Sequence, residues 1–283
     1  MRQGAGYARP LPHKSVEMAI AMKTINKSIY MTHKIRLLDL ELDSISEKDL
    51  IQEIITSIKS GKGGWVLTPN VDILRKYHTD QSLHKYFSQA TYLPPDGTPL
   101  IWAGQLQGTP FRGKMSGSSL IYSLTEQLAK ERSKILLLGG NPGTGEKAKA
   151  VLASRYPGIN IGEPVCPPFG FEHQPEYLSS LRSIVAREQP DFVYICLPFP
   201  KGELVIEYLK ESFPKLWFHN FGVSLSYVTG EIRQAPKWLN LIGGEWIFHL
   251  IQEPNRLFKR YIIDGIPFGM KLLLHSIFKR LAM

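Results

Sequence analysis

The sequence predicts an α/β fold: a Rossmann-like, mostly parallel sheet with helices on both faces, followed by a helical, basic C-terminal appendage. Two observations lead to this prediction. Short apolar runs alternate with longer amphipathic stretches between about residues 35 and 224, which is the pattern of repeated β-α-β units. After about Gln234 the alternation stops, and the remaining residues are helix-forming, rich in aromatics and basic.

The four clearest predicted strands are apolar on both faces, as expected for strands buried inside a parallel sheet. They are residues 65–68, 134–140, 191–197 and 216–222. The clearest helical stretches are residues 46–60, 117–131, 145–156 and 202–213. We therefore divide the chain into a flexible N-terminal extension (1–33), an α/β domain that carries the candidate site (34–233), and a membrane-associating appendage (234–283).

The composition limits the partners and the compartment. A net charge of +9 favours anionic partners, namely nucleic acid, nucleotide phosphates or an acidic membrane surface. The clustered charge lies in the helical tail and not on a nucleic-acid-binding motif, so we expect no nucleic acid. Cys166 and Cys196 are isolated, which favours a reducing cytoplasm over a disulfide framework. No uninterrupted apolar run reaches the roughly 18 residues that a membrane span needs.

The basic tail predicts contact with a membrane surface. Six Lys or Arg residues occur from Arg256 onward against a single acid, Asp264, and apolar side chains are interleaved with them. These cations are Arg256, Lys259, Arg260, Lys271, Lys279 and Arg280. Such a composition is typical of interfacial helices, and the alternative is an ordinary helical cap on the domain. We expect a peripheral protein on the cytoplasmic face of the plasma membrane.

A glycine-rich turn follows the strand at 134–140 and precedes a helix. Its glycines include Gly139, Gly140 and Gly143, and such a turn can direct backbone N–H groups and a helix N-terminus at a phosphate. The turn matches neither a P-loop nor the GxGxxG fingerprint, so a tight turn with glycines for packing remains the alternative. Any ligand should lie at the carboxyl ends of the strands.

Other polar residues also follow predicted strands. Thr68 and Asn70 follow the first core strand, and Asp96 lies in a Pro-Asp-Gly turn after another short apolar run. A carboxylate in that position can act as a general base or bind a ribose hydroxyl, although aspartate is also common in turns for its own chemistry. Cationic Lys114 precedes a helix start, where an anion site is plausible.

The loop after residues 191–197 offers Lys201 and Glu203, which could equally be a helix-start pair. The sequence has no DxD pair of the kind that many nucleotide-sugar enzymes use to hold a divalent cation, and its histidines are scattered. We therefore expect no metal site.

Taken in order, these segments resemble the WecG/TagA/CpsF family of bacterial glycosyltransferases over roughly residues 35–262. The resemblance rests on eight segments, none of them decisive alone, that end in an EW…EPxR…KRY signature. They are residues 68–74, 93–104, 113–120, 136–148, 155–161, 190–203, 228–239 and 243–261.

The resemblance implies an inverting enzyme that transfers a hexose from a UDP-sugar, without a metal cofactor, to a saccharide on polyprenyl diphosphate. The product belongs to teichoic acid, enterobacterial common antigen or exopolysaccharide assembly. By the family pattern Asp96 is the catalytic carboxylate and Thr68 and Asn70 accompany it. Lys114 stands where an arginine is more usual, and Arg256, Lys259 and Arg260 are the C-terminal cations that meet the lipid diphosphate.

Departures from the family pattern leave the donor sugar open among glucose, N-acetylmannosamine and its uronic acid. Gly202 replaces a glutamine, Ser226 an aspartate, and His249 a cation that usually precedes the EPxR motif. Two other classes stay open from the residues alone: a non-catalytic binding protein for nucleotides or lipid diphosphates, and a Rossmann oxidoreductase. The oligomeric state is equally open, with a homo-oligomer among the options.

Overall fold

The computed structural model describes residues 33–236, 238–239 and 243–282. Its strands form one five-stranded parallel sheet and a separate two-stranded hairpin. The strands are β1 (His33–Leu37), β2 (Leu40–Ser44), β3 (Gly64–Val66), β4 (Lys134–Gly139), β5 (Asn160–Ile161), β6 (Phe192–Cys196) and β7 (Trp217–Asn220). The predicted extension at 1–33 lies outside the described residues except for His33, so its flexibility stays a prediction.

Most of the helices lie between the strands in the chain, and the last four follow the final strand. They are α1 (Glu47–Lys59), α2 (Val71–Thr79), α3 (His84–Gln89), α4 (Thr98–Leu106), α5 (Gly117–Lys130), α6 (Thr144–Arg155), α7 (Pro175–Glu188), α8 (Lys201–Ser212), α9 (Ser224–Val228), α10 (Glu245–Gln252), α11 (Pro254–Phe258) and α12 (Ile266–Leu281). A π-helical segment, Lys259–Gly265, joins α11 to α12. The four predicted strands and four predicted helices are confirmed, each within two residues at either end.

The order of strands across the sheet identifies where a ligand should lie. The order is β3-β7-β6-β4-β5, and every pair is parallel. The chain leaves β4 for β5 on one side and then returns to β6 on the other side of β4. This reversal is a topological switch point, and open α/β sheets bind ligands in the crevice outside the carboxyl ends of such strands.

The sheet is buried on both faces, as the sequence predicted. Ile135 and Leu137 pack into the core on one face, and Leu136 and Leu138 pack into the core on the other. Successive side chains of a strand point to opposite faces, so an apolar residue at every position is required here. These two cores fix the strands and therefore the loops that follow them.

The C-terminal helices pack onto the α/β part of the chain. Phe268 and Leu272 on α12 are buried against α4, while large apolar residues on the opposite face are exposed. Those exposed residues include Ile263, Ile266, Met270, Leu274, Phe278 and Leu281. By length and composition alone, the segment Pro254–Leu281 could cross a membrane, since an 18-residue window within it has a mean hydropathy of 1.2. The structure shows it with one face on α4 and the other open.

We predict that Leu272→Ala will lower the free energy of unfolding by about 2–5 kcal/mol, because it leaves a cavity under α12. Leu272 is 0% exposed, whereas Leu274 on the same helix is 51% exposed. The matched variant Leu274→Ala should change the free energy by no more than about 0.5 kcal/mol. Urea denaturation measures both values. Equal effects of the two variants would contradict the packing of α12 on α4.

Candidate active site

Two backbone hydrogen bonds hold three loops together at the carboxyl edge of the sheet. The N–H of Asp96 donates to the carbonyl oxygen of Pro69 at 2.8 Å, and the N–H of Met115 donates to the carbonyl oxygen of Pro95 at 2.8 Å. The loop after β3, the loop before α4 and the loop before α5 are thereby joined. The bonds place Asp96 beside the segments that carry Thr68, Asn70 and Lys114. The sequence predicted this closeness for Thr68 and Asn70, which follow a strand, but not for Lys114, which precedes a helix.

Asn70 also has a structural task. Its side-chain oxygen accepts a hydrogen bond from the N–H of Ile73 at 3.1 Å and so caps the N-terminus of α2. Thr68 lies two residues earlier and is partly exposed. The catalytic roles predicted for both residues stay predictions. The side-chain oxygen of Asn70 already accepts the hydrogen bond that caps α2.

The carboxyl group of Asp96 lies in an environment that disfavours its charge. Burial raises the pKa of Asp96 to about 7, and the negative charge of Glu245 adds to the increase. The positive charges of Lys114 and Arg260 and the N–H of Gly97 oppose it. An acid with a pKa near neutrality can exchange a proton at physiological pH, which is what a general base requires.

A chain of polar side chains leads away from Asp96. Lys114 Nζ lies 3.5 Å from Glu245 Oε2, and Glu245 Oε1 lies 3.7 Å from His249 Nε2. His249 in turn lies 3.3 Å from the hydroxyl oxygen of Tyr227. The sequence analysis assigned no role to Glu245 or Tyr227. The four-residue spacing of Glu245 and His249, which places both on one face of a helix, is the signal that could have found the pair.

The predicted C-terminal cations divide into two groups. Arg260 Nε lies 3.2 Å from the buried Asp72, and its charge reaches Asp96. Arg256 pairs with Glu253, and its charge acts on the hydroxyl group of Tyr261. Lys259 is exposed on the surface of the π-helical segment. The structure therefore brings Arg260 to Asp96, and it leaves Arg256 beside Tyr261 and Lys259 on the surface.

The pKa of Asp72 reports how strongly it binds these cations. Burial alone would raise that pKa, but the positive charges of Arg260 and Lys76 outweigh it and hold the pKa below its ordinary value. Asp72 also pairs with Arg75, 3.1 Å away. Asp72 is therefore an ionised anchor on α2 that holds Arg260 near Asp96.

The glycine-rich turn uses most of its backbone donors internally. The N–H of Gly139 donates to the carbonyl oxygen of Val165 at 2.8 Å, and that of Gly140 donates to the carbonyl oxygen of Cys196 at 2.9 Å. A Cβ atom on Gly139 would lie 2.3 Å from the Cys196 oxygen, so glycine is required for this close approach. Gly143, with φ of +81°, is the N-cap residue of α6. Phosphate binding was predicted for all three glycines. The N–H groups of Gly139 and Gly140 are already hydrogen-bonded and are not free to bind a phosphate.

Lys201 and Glu203 differ in what they can reach. Lys201 pairs with Glu172 and lies 5.1 Å from the ring centre of Phe169, which is 99% exposed. Glu203 is only 2% exposed and accepts hydrogen bonds from the amide of Asn220 at 3.1 and 3.2 Å. The side chain of Glu203 is therefore too buried to contact a sugar donor in the way that the sequence predicted. In this structure the residue supports Asn220.

Asn220 explains one departure in the sequence. Its side-chain oxygen accepts the N–H groups of Leu197 and Gly222, which tie the ends of β6 and β7 together. A Cβ atom on Gly202 would lie 2.2 Å from the Asn220 amide nitrogen. The glycine therefore makes room for Asn220. Within the described ranges 33–236, 238–239 and 243–282, no three His, Cys, Asp or Glu side chains gather into a metal-binding group.

Comparison with known proteins decides the family. The sequence model of the glycosyl transferase WecG/TagA/CpsF family matches residues 35–282, which is most of the chain. The chain belongs to this family. It is therefore a glycosyltransferase, and the resemblance inferred from the eight segments is confirmed.

Three curated relatives are named N-acetylglucosaminyldiphosphoundecaprenol N-acetyl-beta-D-mannosaminyltransferase. The relative from Staphylococcus aureus (strain MRSA252) is 24% identical over 80% of this chain and 87% of its own length. Those from Bacillus spizizenii and Bacillus subtilis (strain 168) are 22% and 23% identical, over 75% and 69% of this chain and 84% and 73% of their own lengths.

We predict that Asp96→Asn will stabilise the folded protein at pH 8 but not at pH 4. Asp96 ionises near pH 7 when folded and near 3.8 in its ordinary state, so its charge costs stability that grows between those values. Asparagine removes the cost, and we expect a gain of about 1–3 kcal/mol at pH 8. Urea denaturation at both pH values measures it, and a difference that does not change with pH would contradict the assignment.

Proposed function

We propose that this glycosyltransferase moves a hexose from a UDP-sugar to a saccharide linked to polyprenyl diphosphate, with Asp96 as the general base. The observation that carries the proposal is the carboxyl group of Asp96, whose pKa of about 7 is set by burial and by the nearby charges of Glu245, Lys114 and Arg260. The acceptor class is supported by the names of the three relatives, each of which acts on a sugar diphosphoundecaprenol.

The proposed reaction is a single displacement at the anomeric carbon. The Asp96 carboxylate takes the proton of an acceptor hydroxyl group. At the same time, the oxygen of that hydroxyl group forms a bond to the anomeric carbon. The bond from the carbon to the UDP oxygen breaks on the opposite side, UDP leaves with the bonding electrons, and the configuration inverts. A positioned base contributes roughly 10²–10⁴ in rate.

Negative charge grows on the departing diphosphate and must be stabilised. Lys114 and Arg260 lie close enough to change the pKa of Asp96, so they are placed to act on that charge. The reaction that we propose needs no divalent cation. Full activity in excess EDTA would support this part, and a strict requirement for Mg²⁺ or Mn²⁺ would reject it.

The donor hexose is proposed from three candidates: glucose, N-acetylmannosamine and N-acetylmannosaminuronic acid. The names of the relatives favour N-acetylmannosamine. Gly202 favours glucose, because the family glutamine at this place is missing and Asn220 occupies the space beside it. Parallel assays with the three UDP-sugars and one lipid-diphosphate acceptor would identify the donor.

We also propose that the protein works at the cytoplasmic face of the plasma membrane. The outer face of α12 exposes large apolar residues, and Arg280 near the end of the helix is exposed beside them. Lys271 and Lys279 contact His78 and the carbonyl oxygen of Arg36 at the border with the rest of the protein. Each cation near an anionic surface contributes about 1 kcal/mol of attraction, and apolar side chains add to it. Such a face is suited to a lipid surface where a polyprenyl-linked acceptor lies.

We predict that Asp96→Asn will lower the transfer rate by about 10²–10⁴ while leaving UDP binding within about threefold of wild type. Asparagine keeps the size of the side chain but cannot take a proton. Asp80→Asn, a change at an exposed turn, serves as the matched control and should retain full activity. Radiolabel transfer and calorimetric titration measure the two quantities. Turnover by Asp96→Asn within tenfold of wild type would reject Asp96 as the base.

We predict that replacing Leu274, Phe278 and Leu281 together with serine will release the protein from anionic vesicles. All three side chains are exposed on the outer face of α12, so the fold should tolerate the change. Transfer to a water-soluble acceptor analogue should stay within about threefold of wild type. Phe169→Ser, which removes an exposed aromatic ring elsewhere, is the control. A triple variant that still sediments with vesicles would show that α12 is only a structural cap.

A further inference from the structure

A carboxylate lies where the sequence predicted a phosphate. The hydroxyl group of Thr144 donates to the carboxylate of Glu231, with oxygen distances of 2.8 and 3.0 Å. Thr144 is fully buried and is the first residue of α6, immediately after the glycine-rich turn. Ser226 Oγ, at 3.4 Å, and Lys147 Nζ, at 3.6 Å, are the other near groups. Glu231 therefore stands at the carboxyl end of β4, beside the topological switch point.

This end of the crevice is poorly suited to a diphosphate. The N–H groups of Gly139 and Gly140 already donate to backbone carbonyl oxygens, and the Glu231 carboxylate repels phosphate charge. Lys147 offsets that charge only in part, because its amino group is 3.6 Å away and largely exposed. What this end offers to a ligand is a hydrogen-bond acceptor.

The opposite end of the crevice is cationic, and helix α9 lies between the two ends, since it packs against both α6 and α5. Ser226, near Glu231, is followed in the chain by Tyr227, which contacts His249. From His249 the contacts run through Glu245 to Lys114, beside Asp96. A nucleotide-sugar laid along this line has its diphosphate near Lys114 and its nucleoside near Glu231.

We propose that Glu231 accepts hydrogen bonds from the ribose hydroxyl groups of the nucleotide and thereby sets the direction in which the donor binds. This inference rests on the proposed function, which supplies a nucleoside diphosphate as ligand. A carboxylate has about four acceptor positions, and the Thr144 hydroxyl has a single proton to donate. The Glu231 side chain is 28% exposed, so acceptor positions remain open to a neighbouring diol. Acidic residues fulfil this role at other α/β nucleotide sites.

Calorimetric titration with UDP and with 2′,3′-dideoxyuridine diphosphate tests the inference. Wild type should bind UDP about 10- to 100-fold more tightly than the dideoxy compound, the range expected for hydrogen bonds to a charged acceptor. Glu231→Ala should lose most of this preference by weakening UDP binding alone. Lys147→Ala, which removes the neighbouring cation but keeps the carboxylate, is the matched control and should preserve the preference.

The outcomes separate the inference from its alternatives. Equal binding of both compounds by wild type overturns it, and so does equal weakening of both by Glu231→Ala, since that result indicates a purely structural role. Glu231→Gln keeps an acceptor for Thr144 and carries the test if the alanine variant does not fold; it should show a reduced preference. A folded wild type that binds no UDP also overturns it. Transfer is assayed separately, so intact ribose preference without any transfer would reject the proposed reaction alone.

Discussion

The charge balance around Asp96 is the constraint on which the site depends. Burial and the neighbouring Glu245 disfavour its ionised form, and Lys114 and Arg260 favour it. Removing either influence moves the pKa of Asp96 away from neutrality, toward a weaker base or toward a group that stays protonated. Glu245 itself is held ionised by His249 and Lys114, which lower its pKa. Residues from four separate segments must therefore be placed together before Asp96 can exchange a proton near pH 7.

The parallel sheet achieves that placement, and this part was accessible from the sequence. Strands buried on both faces are apolar at nearly every position, so β4, β6 and β7 could be located directly from their composition. Once the strands are parallel, the loops that follow them meet at one edge, which predicts that Asp96 lies near Thr68 and Asn70. The two backbone hydrogen bonds at Pro69 and Pro95 are the local expression of this rule.

Contacts between distant segments could not be predicted, because no periodicity records them. Glu245 and Tyr227 belong to segments with no strand alternation, and their pairing through His249 depends on how α10 lies beside α9. The phosphate-binding role predicted for the glycine-rich turn depends on contacts of the same kind. Its composition permits phosphate binding, but whether its N–H groups are free depends on Val165 and Cys196, which follow other strands. Glu203 is an ionisable residue of the kind found in binding sites, and only the three-dimensional structure shows that it is buried.

The C-terminal segment joins three tasks in one helical pass. Its π-helical start carries Arg260, which Asp72 holds beside the site, and Phe268 and Leu272 on α12 pack against α4. Helix α4 begins at Thr98, two residues after Asp96, so the helix that supports α12 follows directly on the loop that carries Asp96. The outer face of α12 is the one proposed to meet lipid. The proposed lipid-facing surface is therefore connected to the loop of Asp96 through α4 and to Arg260 along the same helical pass. Because packed helices shift as units, we infer that membrane contact and the charge balance at Asp96 are mechanically coupled.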